Sequence, residues 1–291
     1  MGLGNWLVKR VSRHLTDRKP KNPSYLCDFD RICHEVRPAD VLLVEGKNRI
    51  SKVIQRITHS PWTHAVLFIG RLHDIEDPQI RELVHKNYHG KLSDQLIIES
   101  IIGKGTVITP ITEYENNHVR ICRPAGLSFQ DAQKVIGHGA KTLGKEYNLR
   151  HFFDLGRFLL ASRLLPRQWR SSLFLRSADK ATQDICSSMI AQAFISIKFP
   201  ILPLVRKDDS KEFEVIHRNP KLYTPSDFDY SPYFEIIKYP IFPVSNMAAY
   251  REMPWNDELV SDDEAGVFPT NEKNPIAPDT ISATGDEDKA K

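Results

Sequence analysis

A thiol, an imidazole and a carboxylate each stand where the sequence gives them a reason to react. Cys186 opens the run Cys186-Ser187-Ser188-Met189-Ile190-Ala191, two residues after Asp184, whose side chain suits a helix N-cap. The thiol then lies in the first turn of a helix, facing the positive end of the dipole and several unpaired backbone N–H groups. Both favour a thiolate, and the same N–H groups can hold the oxyanion of an attacked carbonyl. Taken alone, a free cysteine is more often a small buried core residue, so the position needs a base. His64 heads the apolar run HAVLFIG directly after Ser60-Pro61-Trp62-Thr63, where a strand mouth meets a loop. In isolation it reads equally as a satisfied rim histidine. Glu99 sits inside LIIESI, where a carboxylate is costly unless it is paired. Period two puts Glu99 on the face of Ile97 and Ile101, opposite Ile98 and Ser100. If the strands at 64–70 and 95–101 are neighbours, Glu99 can accept a bond from the imidazole and fix its tautomer. The three would then form a Cys-His-Glu triad for acyl transfer through a covalent intermediate.

Elements able to position these groups follow from the hydrophobic pattern. DVLLVE at 40–45 reads as a strand, Gly46-Lys47-Asn48 as a turn, and RISKVIQRIT at 49–58 as a helix ending near Ser60-Pro61. HAVLFIG is continuously apolar, as in a strand buried on both faces. Residues 71–95 are polar and charged, with a short helical pattern around 78–86, and read as an insertion. Strands resume at 95–101, 106–111 and 118–124, with Gly103-Lys104-Gly105 and Asn116-Asn117 between them. Such short links favour antiparallel neighbours, since a parallel crossover needs about a dozen residues. Ser128 caps a helix running to about Leu143, an apolar segment FFDLGRFLLASRLL precedes Pro166, and the cysteine helix follows. The expected class is α+β, an antiparallel sheet packed against helices.

Bulk properties narrow the function classes. A chain of 291 residues with 41% hydrophobic and 26% charged content closes one substantial core and needs no disulfide scaffold. No stretch approaches the roughly 18 apolar residues of a membrane-spanning helix. The N-terminus MGLGNWLVKRVSRHLTDRK scatters charge through its apolar residues, unlike a secretory signal, so the expected location is cytoplasmic. Cys27, Cys33, Cys122 and Cys186 show no zinc spacing and are expected as free thiols. His85 and His89 are four apart, but no glutamate follows in the manner of a zinc-peptidase helix, so no metal is expected. Residues 1–21 carry six Lys/Arg against one Asp, and Leu3, Trp6, Leu7, Val11 and Leu15 recur at helical spacing. Such a helix can lie on the inner face of an anionic membrane or dock its stripe on the domain itself. The segment from Asp257 carries ten acidic and three basic residues and is expected to lack structure. The divisions expected are a basic N-terminal segment at 1–35, a catalytic domain at 36–253 and an acidic tail at 254–291. A modest positive excess without arginine clusters or aromatic platforms argues against nucleic acid as a partner.

DVLLVEGKNRISKVIQRITHSPWTHAVLFIG at 40–70, the glutamate of LIIESIIGKGTVITPI, and ICSSMIAQAF at the cysteine helix together resemble the YaeF/YiiX-like group. These are circularly permuted papain-fold enzymes related to NlpC-type peptidases and lecithin retinol acyltransferase. The resemblance spans about residues 36–230, including TPSDF at Thr224–Phe228. It implies a permuted papain-like (NlpC-type) fold in which the histidine strand precedes the cysteine helix, opposite to papain. It assigns Cys186 as nucleophile, His64 of the S-x-W-x-H segment as base and Glu99 as the third polar residue. Trp62 and Tyr147, in GKEYN, become candidates for the substrate-binding cleft, with packing the alternative for Tyr147. Many members are exported or lipid-modified, whereas this sequence carries neither signal. That points to an amide, ester or thioester carbonyl on a small-molecule, peptide or lipid substrate, with no cofactor. The competing readings are a cell-wall-type peptidase and a catalytically silent, membrane-associated binding module on the same fold.

Overall fold

The computed structural model describes residues 26–101, 104–144, 186–207, 212–244, 246–256, 258–262 and 266–269. The chain divides into two compact units, Met1–Ile241 and Phe242–Lys291. In the first, six strands form one sheet: β1 (Val41–Glu45), β2 (His64–Gly70), β3 (Leu96–Ile101), β4 (Gly105–Pro110), β5 (His118–Pro124) and β8 (Phe234–Ile237). Their order is β4-β3-β2-β1-β5-β8, and every pair is antiparallel, as the short links require. A mixed α+β architecture with an antiparallel sheet is therefore present.

Alternation along the strands divides the buried residues between two faces. One face, with Val41, Leu43, Ala65, Leu67, Ile69 and Ile98, packs under helices α3 (Pro78–Asn87), α4 (Phe129–Ala140) and α5 (Cys186–Ser196). The other, with Leu42, Val44, Val66, Phe68, Ile97 and Ile121, packs under α1 (Phe29–Glu35), whose Ile32 is fully buried. Because β1 and β2 are covered on both sides, they read as unbroken apolar runs rather than as alternation. Gly139 of α4 lets that helix lie close to the sheet: a Cβ there would meet Leu67 Cδ2 at 3.1 Å and Ile98 Cδ1 at 3.4 Å. Near the C-terminal end of α5, Phe194 packs edge-on against Phe234, which in turn meets Phe199 and Phe228 edge-on. Asp40, at the entry to β1, is 1% exposed and receives Nε and Nη2 of Arg123 from β5 together with the Arg37 N–H.

Two expectations gain detail. The insertion at 71–95 carries the expected helix, α3, and adds Ile75 and, from α3 itself, Ile80 and Val84 to the core. Asp77 caps that helix through the Gln79 N–H, which lets a charged segment present one apolar edge inward. Within the acidic tail, β9 (Leu259–Asp262) and β10 (Gly266–Pro269) pair antiparallel in the second unit. LVSD and GVFP are short β-prone runs, and their local pairing needs no large core. A separate hairpin, β6 (Leu204–Lys207) with β7 (Phe213–Ile216), belongs to the first unit. The amphipathic segment 1–21, the apolar run before Pro166, Asp184 and Tyr147 lie outside the described residues. Among the described residues no helix is long and apolar enough to cross a membrane.

Candidate active site

His64 owes its place to a tightly built entry into β2. The Thr63 N–H donates to the Val44 carbonyl at 3.1 Å, and Thr63 Oγ1 receives the Gly46 N–H at 2.9 Å. Gly46 must be glycine here, because a Cβ would fall 2.1 Å from Ser51 Oγ and 2.7 Å from Thr63 Oγ1. With Thr63 pinned, His64 is the first residue of the strand, its side chain 21% exposed.

Glu99 comes from the neighbouring strand. Leu67 is opposite Ile98 and Phe68 is opposite Ile97, so continuing the register sets Glu99 opposite Val66 and diagonal to His64 on the same face. His64 Nε2 and Glu99 Oε2 are 2.8 Å apart. Glu99 is 2% exposed, and the hydroxyls of Thr109 and Tyr114 also donate to it, Thr109 to Oε1 and Tyr114 to Oε2. Burial pushes the Glu99 carboxyl up; the bond and charge of His64 and the two hydroxyls outweigh it and leave the acid below its ordinary range.

Cys186, at the start of α5, is 6% exposed and lies near enough to the His64 imidazole for each to shift the other's titration. With Nε2 engaged by Glu99, Nδ1 is the ring nitrogen left for sulfur. Burial raises the thiol pKa, but the imidazolium charge and hydrogen bond, with the backbone N–H groups of Ala65 and Ser187, bring it below the ordinary cysteine value. Burial likewise opposes the imidazolium, yet the Cys186 sulfur and Glu99 push His64 up to about 10. Both directions favour the charged form of each group. Among the other cysteines burial raises every thiol, Cys33 to about 11. The Ser187 hydroxyl donates to the Tyr223 carbonyl at 2.6 Å, a packing bond that occupies it.

The structure thus brings Cys186, His64 and Glu99 together, while Trp62 is placed differently. It is 2% exposed; its indole N–H donates to Asp229 at 3.3 Å, and the Arg120 guanidinium lies 4.6 Å from its ring centre. Arg120 also pairs with Asp229 at 2.7 Å. These residues line a cleft of about 510 Å³ with Thr58, Pro61 and Tyr230, and neither Cys186 nor His64 lines it. Thr109 and Tyr114 are site residues the sequence reading missed. Thr109 carried a signal, since alternation puts it on the face of Val107, which pairs with Glu99. Tyr114, in a 3-10 turn at Ile111–Tyr114, carried none.

No protein-family model and no curated protein sequence matches the chain. Among solved structures it is similar to the crystal structure of the metalloprotein yiiX from Escherichia coli O157:H7, DUF1105. The identity is 13% and the TM-score 0.42, over 70% of this chain and 97% of that one. Among the described residues, no group of three or more His, Cys, Asp or Glu side chains could hold a metal ion.

Proposed function

We propose that this protein is a cysteine hydrolase or acyltransferase of the permuted papain-like type, acting on an amide, ester or thioester carbonyl. The observation that carries the reading is the 2.8 Å contact of His64 with buried Glu99 beside Cys186, whose thiol is lowered while the imidazole is raised. The Cys186 thiolate attacks the carbonyl carbon, a C–S bond forms, and the π electrons move to oxygen. First-turn N–H groups of α5 face the developing oxyanion. Collapse breaks the bond to the leaving group, which takes its proton from His64 Nδ1. Neutral His64 then draws a proton from water or from a second acceptor, whose oxygen or nitrogen attacks the thioester and releases Cys186. Glu99 holds Nε2–H throughout, so Nδ1 is the nitrogen that exchanges protons with substrate. The sequence order, histidine strand, glutamate strand, cysteine helix, supports the permuted topology.

The test is labelling by a limiting electrophilic acyl probe, followed by intact-mass analysis. Cys186→Ala is expected to abolish labelling and His64→Ala to weaken it. Labelling that is independent of both residues overturns the assignment.

A further inference from the structure

Glu99 Oε2 receives two donors at once, Nε2–H of His64 and the phenol of Tyr114. A carboxylate oxygen shared in this way is less basic than one bonded to imidazole alone, because each donor withdraws charge from the same lone-pair region. We propose that Tyr114 is a positioning residue that sets the basicity of His64 by competing with it for Glu99 Oε2. The inference rests on the thiolate–imidazolium reading above.

Geometry fits this role at three points. The turn carrying Tyr114 is anchored by Ile111, which is 1% exposed and whose N–H donates to the Gln95 carbonyl at 2.9 Å. The Tyr114 ring lies 6.1 Å from the His64 ring at 44°, so the phenol approaches the carboxylate from the imidazole side. Thr109 engages Oε1, leaving Oε2 as the atom where histidine and tyrosine meet. The charged and titratable groups facing these residues are Cys186 and Glu99 on His64, and Glu99, Cys186 and Glu113 on Tyr114. Burial and the nearby negative charges raise the phenol well above its ordinary value, so it remains a donor across the working pH range.

The sign distinguishes this role from simple support. Removing the hydroxyl while keeping the ring leaves Oε2 entirely to Nε2–H, which strengthens the imidazolium–carboxylate bond and makes His64 harder to deprotonate. Loss of Glu99 orientation does the reverse, because His64 then loses its partner.

The probe is iodoacetate, whose carboxylate is drawn to the imidazolium, so alkylation of Cys186 falls as His64 loses its proton. Alkylation is followed by intact mass against pH for the full chain, Tyr114→Phe, Thr109→Val and Glu99→Gln. The alkaline limb is expected to move up by about half a unit to one unit in Tyr114→Phe. Thr109→Val should move it up by less, since it acts on the other oxygen, and Glu99→Gln should move it down. An alkaline limb that stays in place or moves down in Tyr114→Phe overturns the proposal, whatever the thermal stability does. If the unmodified protein shows only an ordinary thiol profile, with no falling limb, the thiolate–imidazolium reading itself fails and takes this one with it.

Discussion

Replacing His64 by alanine should move the reactivity of Cys186 by an amount that the surrounding charges allow to be worked out. The thiol is held below its ordinary pKa of 9.0 by the imidazolium charge and hydrogen bond, with the N–H groups of Ala65 and Ser187, against burial. Two unit charges about 4 Å apart at an effective dielectric of about 20 interact by about 4 kcal/mol, or about three pKa units. Without the imidazolium, burial dominates and the thiol should rise above the ordinary value, reducing the thiolate at pH 7 by up to about a thousandfold, and by less the more fully it is ionised at the outset. The more basic thiolate is intrinsically more nucleophilic, with a Brønsted slope of about 0.45, which restores about twentyfold. The net expectation is a loss of up to about fiftyfold in the rate of Cys186 alkylation by iodoacetamide at pH 7. In the unmodified protein the pH profile should show thiolate reactivity beginning below the ordinary cysteine range, with the imidazolium persisting to about 10. Peptide mapping of the alkylated protein reads each cysteine separately. Cys27, Cys33 and Cys122, all raised by burial, serve as internal slow references. A change below about threefold at Cys186, or a rate no faster than that of Cys33, would refute the reasoning.

Three further outcomes follow from packing. Arg123→Ala leaves the Asp40 carboxylate buried without its guanidinium and should cost about 3–5 kcal/mol in urea unfolding at neutral pH. Burial already raises Asp40 with Arg123 present, so in the variant it titrates higher still, and the deficit should shrink as pH falls through that value. Ser187→Ala strands the buried Tyr223 carbonyl that Ser187 serves at 2.6 Å. It should lower stability by about 1–3 kcal/mol by the same measurement. Gly139→Val forces branched atoms into Leu67 and Ile98, which even a Cβ would meet at 3.1 and 3.4 Å. Its midpoint should drop by an amount equal to about 1–3 kcal/mol, and an unchanged midpoint would show that α4 can move off the sheet at no cost.

The strands were legible because β-branched runs, short turns and an unbroken apolar pattern all point to one antiparallel sheet. His64–Gly70 and His118–Pro124 occupy the ranges their pattern predicts. His64 and Glu99 stood out as polar residues at places where burial demands a partner. What escaped were partners supplied by register rather than by local pattern. Tyr114 follows Pro110 in what reads as an ordinary turn, and only the β3–β4 pairing carries it back to Glu99. Arg120 and Asp229, 109 residues apart, meet over Trp62 through the fold alone. Ile75, Ile80 and Val84 stand among charged residues, so the helical insertion gave no sign of its buried edge.

The side chains of His64 and Ala65 leave β2 on opposite faces. His64 faces the side of Val66 and Glu99, while Ala65 lies under α5, and its N–H reaches the Cys186 sulfur. A slip of one residue in β2 would exchange these directions, turning the imidazole away from the carboxylate and removing the amide from the thiol. Enhanced reactivity at Cys186 is therefore a reading of strand alignment as well as of chemistry. A chain that collapses with its central strand out of step would bury comparable apolar area yet hold an inert thiol, so acylation at this cysteine would count only correctly aligned molecules.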